Sequence, residues 1–271
     1  MTLRRNILPK SRGEMMSTLA NMISCPLNYY VFNFVVLPRY YKMWSFEYNI
    51  HFIIIIITTF MMYANMIAMI FCDTSVKGRI PSGTVVKDWK YCEKCEISAP
   101  PRSWHCNICD VCILKRDHHC FFTSCCIGFH NHRYFFMYLF TVAFDAFYMS
   151  YFNFYYFWEK ATFEYTWTSL LKLLFPFISV FFMEWSSIHF HFIIIIETFC
   201  FGLMAGFLFL WCGYLITRNM VLFDKKRAII YERGFLENIK VVFGERWYFV
   251  WLGPWVKSRL PCDGMNWEKY M

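Results

Sequence analysis

Ile50-HFIIIIITTFMMYANMIAMIF-Cys72 runs for 23 residues without a Lys, Arg, Asp or Glu. A helix rises about 1.5 Å per residue, so this stretch can cross a hydrocarbon layer of ~30 Å. A chain of 271 residues with 58% hydrophobic and 23% aromatic content would suit either a large soluble domain or a bundle of membrane helices. The uncharged run decides for the membrane, because a buried soluble helix is rarely so long and so free of charge.

Working outward, Tyr134–Trp158 carries only Asp145, and Phe192–Thr217 carries only Glu197. Both pass the same length test. Met15–Pro38 lacks formal charge but is loosened by Asn21, Pro26, Asn28 and Asn33, and it is taken as the first of four spans. Trp167–Met183 is shorter and interrupted by Lys172 and Pro176, which suits a segment at the interface. No small-residue cleavage site follows the first span before Arg39 and Lys42, so a signal peptide is disfavoured.

Lys and Arg near the span ends set the orientation. Arg4, Arg5, Lys10 and Arg12 place the amino terminus in the cytosol, and four crossings return the region between spans two and three to the same side. That region holds Lys77, Arg79, Lys87, Lys90, Lys94, Arg102, Lys115, Arg116 and Arg133; Arg218, Lys225, Lys226, Arg227 and Arg233 follow the last span. The net charge of +8 then reads as membrane orientation and attraction to anionic lipid, and no motif for nucleic acid accompanies it. The expected layout is residues 1–72 (cytosolic start and spans one and two), 73–133 (a cytosolic Cys-rich domain), 134–217 (spans three and four with a lumenal connection) and 218–271 (a cytosolic tail).

Eight of the thirteen cysteines fall between Cys92 and Cys126. On the reducing side of the membrane a disulfide framework is disfavoured. The window reads C-E-K-C, then H-C-N-I-C-D-V-C, then D-H-H-C, then C-C, and cysteines two apart with nearby histidines are a strong signal for tetrahedral zinc. Two zinc sites need eight ligands. The eight cysteines plus His105, His118 and His119 exceed that number, with His130 and His132 just beyond. A short polar loop is expected to bury little core, so metal binding would supply folding free energy directly. Asp117, His118, His119 and Cys120 place a carboxylate, an imidazole and a thiol together, as an activated nucleophile requires. Spacing alone leaves Cys120 open as nucleophile or ligand, with Cys125 its rival for the free thiol.

The segment from Cys92 to Phe135 resembles the cysteine-rich domain of the DHHC family of protein S-acyltransferases: Y-C-E-K-C, P-P-R-S-W-H-C, C-D-V-C-I-L-K-R-D-H-H-C and C-C-I-G-F-H-N-H-R-Y-F. The resemblance implies an all-α membrane protein of four transmembrane helices, with a cytosolic two-zinc domain of short β-hairpins between helices two and three. It implies one zinc on Cys92, Cys95, His105 and Cys112 and another on Cys106, Cys109, His119 and Cys126. It implies that Cys120 takes a fatty acyl group from acyl-CoA, palmitoyl-CoA above all, and passes it to a cysteine of a membrane-associated substrate protein. His118 would be the base and Asp117 its orienting group. The stretch from Tyr231 to Gly244 looks like the family's short carboxyl-terminal motif, whose Asn, here Asn238, supports the fold.

Three departures stand out. Val221-Leu-Phe-Asp224 replaces T-T-x-E, Phe122 replaces a Trp two residues after the nucleophile, and Ala99 replaces the basic residue before P-P-R. Lys115, Arg116, Arg102 and Arg133 remain as candidates for the coenzyme A phosphates. Phe122 and Asp145 are candidates for the acyl cavity; the alternative for Asp145 is a hydrogen bond to a neighbouring span, through Asn65, Asn21 or a tyrosine. A catalytically weak zinc adaptor of the same fold is the competing function, and a channel is disfavoured because no span carries a polar face. An endomembrane, ER or Golgi, is expected, with the plasma membrane as the alternative.

Overall fold

The computed structural model describes residues 3–4, 7–81, 83–87, 89–160, 167–175, 187–222 and 231–267. Its helices are α1 (Arg12–Val31), α2 (Phe46–Phe71), α3 (His132–Lys160), α4 (Trp167–Leu174), α5 (Ser187–Thr217) and α6 (Phe235–Phe243). Six short strands lie between α2 and α3: β1 (Lys90–Cys92), β2 (Ile97–Ala99), β3 (Trp104–Cys106), β4 (Val111–Ile113), β5 (His118–Cys120) and β6 (Cys125–Ile127). Among the described residues, three helical stretches are long and apolar enough to cross a membrane: Phe46–Phe71, His132–Glu159 and His189–Thr217. They match the three most apolar expected spans. The fourth expected span is helical but is not one of the three, and Asn21, Pro26, Asn28 and Asn33 dilute its apolar character. Of the expected interface segment, α4 is described and residues 176–183 lie outside the described residues, as do Phe223 and Asp224.

Helix α1 begins at a capping box, Ser11-Arg-Gly-Glu14. The Glu14 amide donates to Ser11 Oγ at 3.2 Å, and Glu14 Oε2 accepts from the Ser11 and Lys10 amides at 3.1 and 2.6 Å. These bonds satisfy donors that a helix start otherwise leaves open. After α1 the chain passes through a π-helical turn, Phe32–Val36, into a last helical turn, Leu37–Tyr40. Pro38 has no N–H to give the ladder, which accounts for the change of hydrogen-bond register beside it.

The chain forms two compact units. One comprises Met22–Phe60 and Phe140–Phe207. Its core gathers Phe32, Leu37, Tyr48, Ile55 and Met149, with Tyr48 donating to the Asn33 carbonyl at 3.0 Å. Two of the polar residues expected to loosen the first span bond within that span: Asn28 and Asn33 donate to the carbonyls of Ser24 and Tyr29, four residues earlier, both at 2.9 Å. Asn28 also accepts from Thr198. Asp145 is buried and accepts from Thr59 Oγ1 at 3.3 Å. Its partner is therefore neither of the two asparagines named from the sequence; Asn65 donates to the Met61 carbonyl and Asn21 to Tyr138.

The other unit comprises Met1–Asn21, Met61–Leu139 and Leu208–Met271. It contains three antiparallel hairpins, β1–β2, β3–β4 and β5–β6, each closed by the same turn. Cys92 pairs Ile97, Cys106 pairs Val111 and Cys120 pairs Cys125. The hairpins thus recur at fourteen-residue intervals. In each, the residue just before the second strand is left-handed without being glycine: Glu96 at φ 52, Asp110 at φ 55 and Ser124 at φ 49. This repeat was not read from the sequence.

The expectation of a poor core in this region is corrected. Val76, Ile97, Ala99, Cys112, Leu114 and Phe129 are buried together with Tyr231, Val241 and Trp267. The hairpins borrow apolar cover from the carboxyl-terminal tail, some hundred residues later, which loop composition could not reveal. Asn238 is fully buried there, its Nδ2 donating to the Thr217 carbonyl at 2.8 Å and its Oδ1 accepting from the Arg233 amide at 2.9 Å. It ties the end of α5 to the start of α6.

Candidate active site and metal centres

Strand alternation sorts the cysteines and histidines. Neighbouring residues of a strand face opposite sides, and cross-strand partners share a side. His105 pairs Cys112, so both face one way, while Cys106 faces the other. His119 pairs Cys126 in the same manner. Two donor groups result, Cys92, Cys95, His105 and Cys112, and Cys106, Cys109, His119 and Cys126, with all donor atoms of each group within 4.8 Å of one another. Each joins the turn cysteines of one hairpin to the strand pair of the next.

The donor sets fit zinc. Tetrahedral Zn–S and Zn–N bonds of about 2.3 and 2.0 Å put neighbouring donors roughly 3.5 to 3.8 Å apart. In the second group His119 Nδ1 lies 3.5, 3.4 and 3.4 Å from the sulfurs of Cys106, Cys109 and Cys126, and Cys109 Sγ lies 3.6 Å from Cys126 Sγ. In the first, His105 Nδ1 lies 3.7 and 3.3 Å from Cys92 and Cys95.

The third hairpin departs from the other two. Cys120 occupies the place of Cys92 and Cys106, but the second turn position, Cys95 and Cys109 in the others, holds Thr123. The chain then enters α3, so no further strand pair follows. Cys120 lies on the side of β5 away from His119, in company with His118. His118 Nδ1 meets Asp117 Oδ2 at 2.7 Å, leaving Nε2 for the Cys120 sulfur, with which His118 also hydrogen-bonds. Asp117 is buried, and its Oδ1 accepts from the Leu222 amide at 2.9 Å.

Electrostatics sharpen the contrast between thiols. Burial works against the Cys120 thiolate, but the His118 hydrogen bond and charge outweigh it and hold the thiol below its ordinary value. Burial likewise works against the imidazolium of His118, yet Asp117 and Cys120 raise that ring to about 9. For Asp117 burial is again outweighed, first by the His118 hydrogen bond, and the carboxyl stays below its usual range. Cys125, directly across from Cys120, has no imidazole beside it; burial pushes it up to about 12, and its sulfur meets Thr123 Oγ1 at 3.3 Å. The two thiols of this hairpin are thus shifted in opposite directions, Cys120 toward easier ionisation by its imidazole neighbour and Cys125 away from it by burial.

The four cations expected to meet phosphate separate into two kinds. Arg102 and Lys115 are 5% and 1% exposed. Arg102 lies over the rings of both Tyr231 and Trp267, 4.7 and 4.5 Å from their centroids, and donates to Asn219 Oδ1 and to its carbonyl at 3.2 and 2.6 Å. Lys115 lies over Trp267 at 5.6 Å. Both hold the tail against the hairpins, a correction to their reading as phosphate ligands. Arg116 and Arg133 remain partly exposed, the first donating to the His105 carbonyl at 3.4 Å and the second to Tyr134 Oη at 2.6 Å. Phe122 is partly buried in the Cys120 turn, while Asp145 belongs to the other unit.

Three residues that place the site were not singled out from the sequence. Asn131 is fully buried, accepting from the Gly128 amide and donating to the Cys126 carbonyl, both at 2.9 Å, so it fixes the last ligand strand to the start of α3. Asn219 holds Arg102 and donates to the Tyr231 carbonyl at 2.7 Å. Glu14 meets His119. The S-x-x-E pattern was available to find Glu14 as a cap; its reach to His119 was not.

The model of the family described as DHHC palmitoyltransferase matches residues 85–227, just over half of the chain. A probable palmitoyltransferase ZDHHC24 of Danio rerio is 34% identical over 203 residues, covering 72% of this chain and 68% of its own length. The matched segment takes in all three hairpins, the Asp117–His118–Cys120 group and both donor sets, and on that ground the chain belongs to the DHHC palmitoyltransferase family.

Proposed function

We propose that this membrane-embedded protein palmitoyltransferase works through Cys120. The observation that carries the reading is the position of Cys120 in a metal-type turn that has Thr123 for its second residue and lies on the His118 side of β5. The Cys120 thiolate attacks the thioester carbonyl of acyl-CoA, the carbon–sulfur bond to the coenzyme breaks, and the coenzyme thiolate takes its proton from His118. In the second step His118 accepts the proton of the incoming substrate thiol, whose sulfur attacks the acyl-Cys120 thioester and frees Cys120. Asp117, held by the Leu222 amide, keeps His118 in the tautomer that presents Nε2 to sulfur.

Zinc at both donor sets supplies folding free energy and rigidity and takes no part in either step. Arg116 and Arg133, the partly exposed cations, are the residues we assign to the coenzyme phosphates, with palmitoyl as the acyl group. Phe122 is assigned to the acyl cavity on its closeness in sequence to Cys120 alone. The uncharged run Met15–Pro38 and the distribution of Lys and Arg support four crossings with both termini and the hairpins in the cytosol, in an endomembrane. Substrates are then membrane-associated proteins with cytosolic cysteines.

The test is self-acylation of purified protein by palmitoyl-CoA. Hydroxylamine-labile label on wild type and none on Cys120→Ser, with two zinc ions retained per chain, is the expected result. Label that persists in Cys120→Ser refutes the assignment, and a folded, zinc-loaded wild type that never labels favours the adaptor.

A further inference from the structure

We propose that Glu14 is a positioning residue for the second metal centre and joins it to the start of α1; this rests on the zinc reading above. Glu14 Oε1 lies 2.5 Å from His119 Nε2 while Oε2 of the same carboxylate caps the helix through the Ser11 and Lys10 amides. His119 Nδ1 faces the three sulfurs, so Nε2–H is the outward group, and a carboxylate accepting from it fixes the tautomer and tilt of the ring and makes Nδ1 a better donor to metal. Glu14 is only 1% exposed, so its side chain is packed in place and is not a free surface side chain. Among the described residues the first centre shows no buried equivalent: His105 Nε2 is 3.5 Å from Asp110, whose side chain is 80% exposed.

Other contacts of the amino-terminal segment grip the same part of the fold. Ser17 Oγ donates to the Phe121 carbonyl at 2.9 Å, Thr18 Oγ1 meets Ser124 Oγ at 3.2 Å, and Arg4 donates to the Ser124 carbonyl at 2.8 Å. Lys10 Nζ donates to the Cys109 carbonyl at 3.1 Å. The segment thus holds His119 on one side of Cys120 and the turn 121–124 on the other. Glu14 acts on the site through His119 and does not touch the reacting atoms.

The experiment follows zinc release from purified full-length protein to a chromogenic chelator, comparing wild type, Glu14→Ala, Glu14→Gln and Ser11→Ala. Glu14→Ala releases one of its two zinc ions about 10- to 100-fold faster than wild type and the other at the wild-type rate. Glu14→Gln, which keeps the size and a neutral acceptor, lies between them and guards against loss of the fold in the alanine variant. Ser11→Ala removes the capping hydroxyl but leaves the Glu14–His119 contact, and it releases zinc as wild type does. Release at the wild-type rate from both Glu14 variants overturns the proposal, and so does Ser11→Ala matching Glu14→Ala, since capping alone would then account for the effect. A wild type without zinc would remove the metal reading itself.

Discussion

Replacing Arg102 separates a structural cation from a coenzyme ligand. The guanidinium makes two hydrogen bonds to Asn219 and lies over the rings of Tyr231 and Trp267. Arg102→Ala leaves two buried acceptors of Asn219 without this donor, at about 1–3 kcal/mol each, and removes two cation–π contacts of roughly 0.5–2 kcal/mol each. Relief from burying a charge offsets part of this, so the net loss is about 3–4 kcal/mol. For a unit of this size that is a fall in melting temperature on the order of 10 °C. Arg102→Lys keeps the charge but loses the planar fork, and it falls by roughly half as much. Thermal unfolding in detergent gives the shift, and KM for palmitoyl-CoA, measured well below both melting points, gives the other axis. A variant that melts like wild type while its KM for palmitoyl-CoA rises tenfold would return Arg102 to the coenzyme and refute the packing argument.

Two further perturbations address the hairpins. Thr123→Cys restores the second thiol of the metal-type turn beside Cys120, so equimolar Cd²⁺ should block self-acylation of this variant, reversibly by chelator, at concentrations that leave wild type active; equal sensitivity of the two proteins would speak against the equivalence of the three turns. Gly128→Ala places a Cβ 2.6 Å from the Leu114 carbonyl and 2.8 Å from Ile113 and Thr74 side chains, an overpacking expected to cost about 1–3 kcal/mol and visible as a lower melting temperature, whereas an unchanged melt would mean that the backbone yields there.

The most apolar spans were legible from a local signal, an uncharged run long enough for a bilayer; cysteines two apart marked the region for zinc, while the division of its donors into two sets came with the family resemblance. What escaped the reading depends on distant partners. Arg102 and Lys115 resemble free cations until Tyr231 and Trp267 arrive from the tail to cover them. Glu14 drew no reading from the sequence, and only the fold brings it to His119, 105 residues away. Asp145 found Thr59, a hydroxyl in a run otherwise read as apolar. The choice between Cys120 and Cys125 could not be made from ligand counts, because both fall on the ligand-free side of their hairpin and only the His118 ring distinguishes them.

The fourteen-residue repeat gives a reason for a free thiol in the midst of so many metal-binding ones. A centre takes its turn cysteines from one hairpin and its His–Cys strand pair from the next, so three hairpins make two centres and leave an end at either side. At the first end the strand-pair positions hold Tyr91 and Ser98, which no preceding turn needs as ligands. At the last end the turn holds Cys120 and Thr123, with α3 in place of a fourth hairpin. Strand alternation then puts His118 on the side of that unclaimed sulfur while His119, one residue on, remains with the metal donors. The hairpin scaffold thereby presents a thiol in a metal-site geometry with an imidazole as its neighbour, and the proposed role of Cys120 as nucleophile agrees with where the repeat stops.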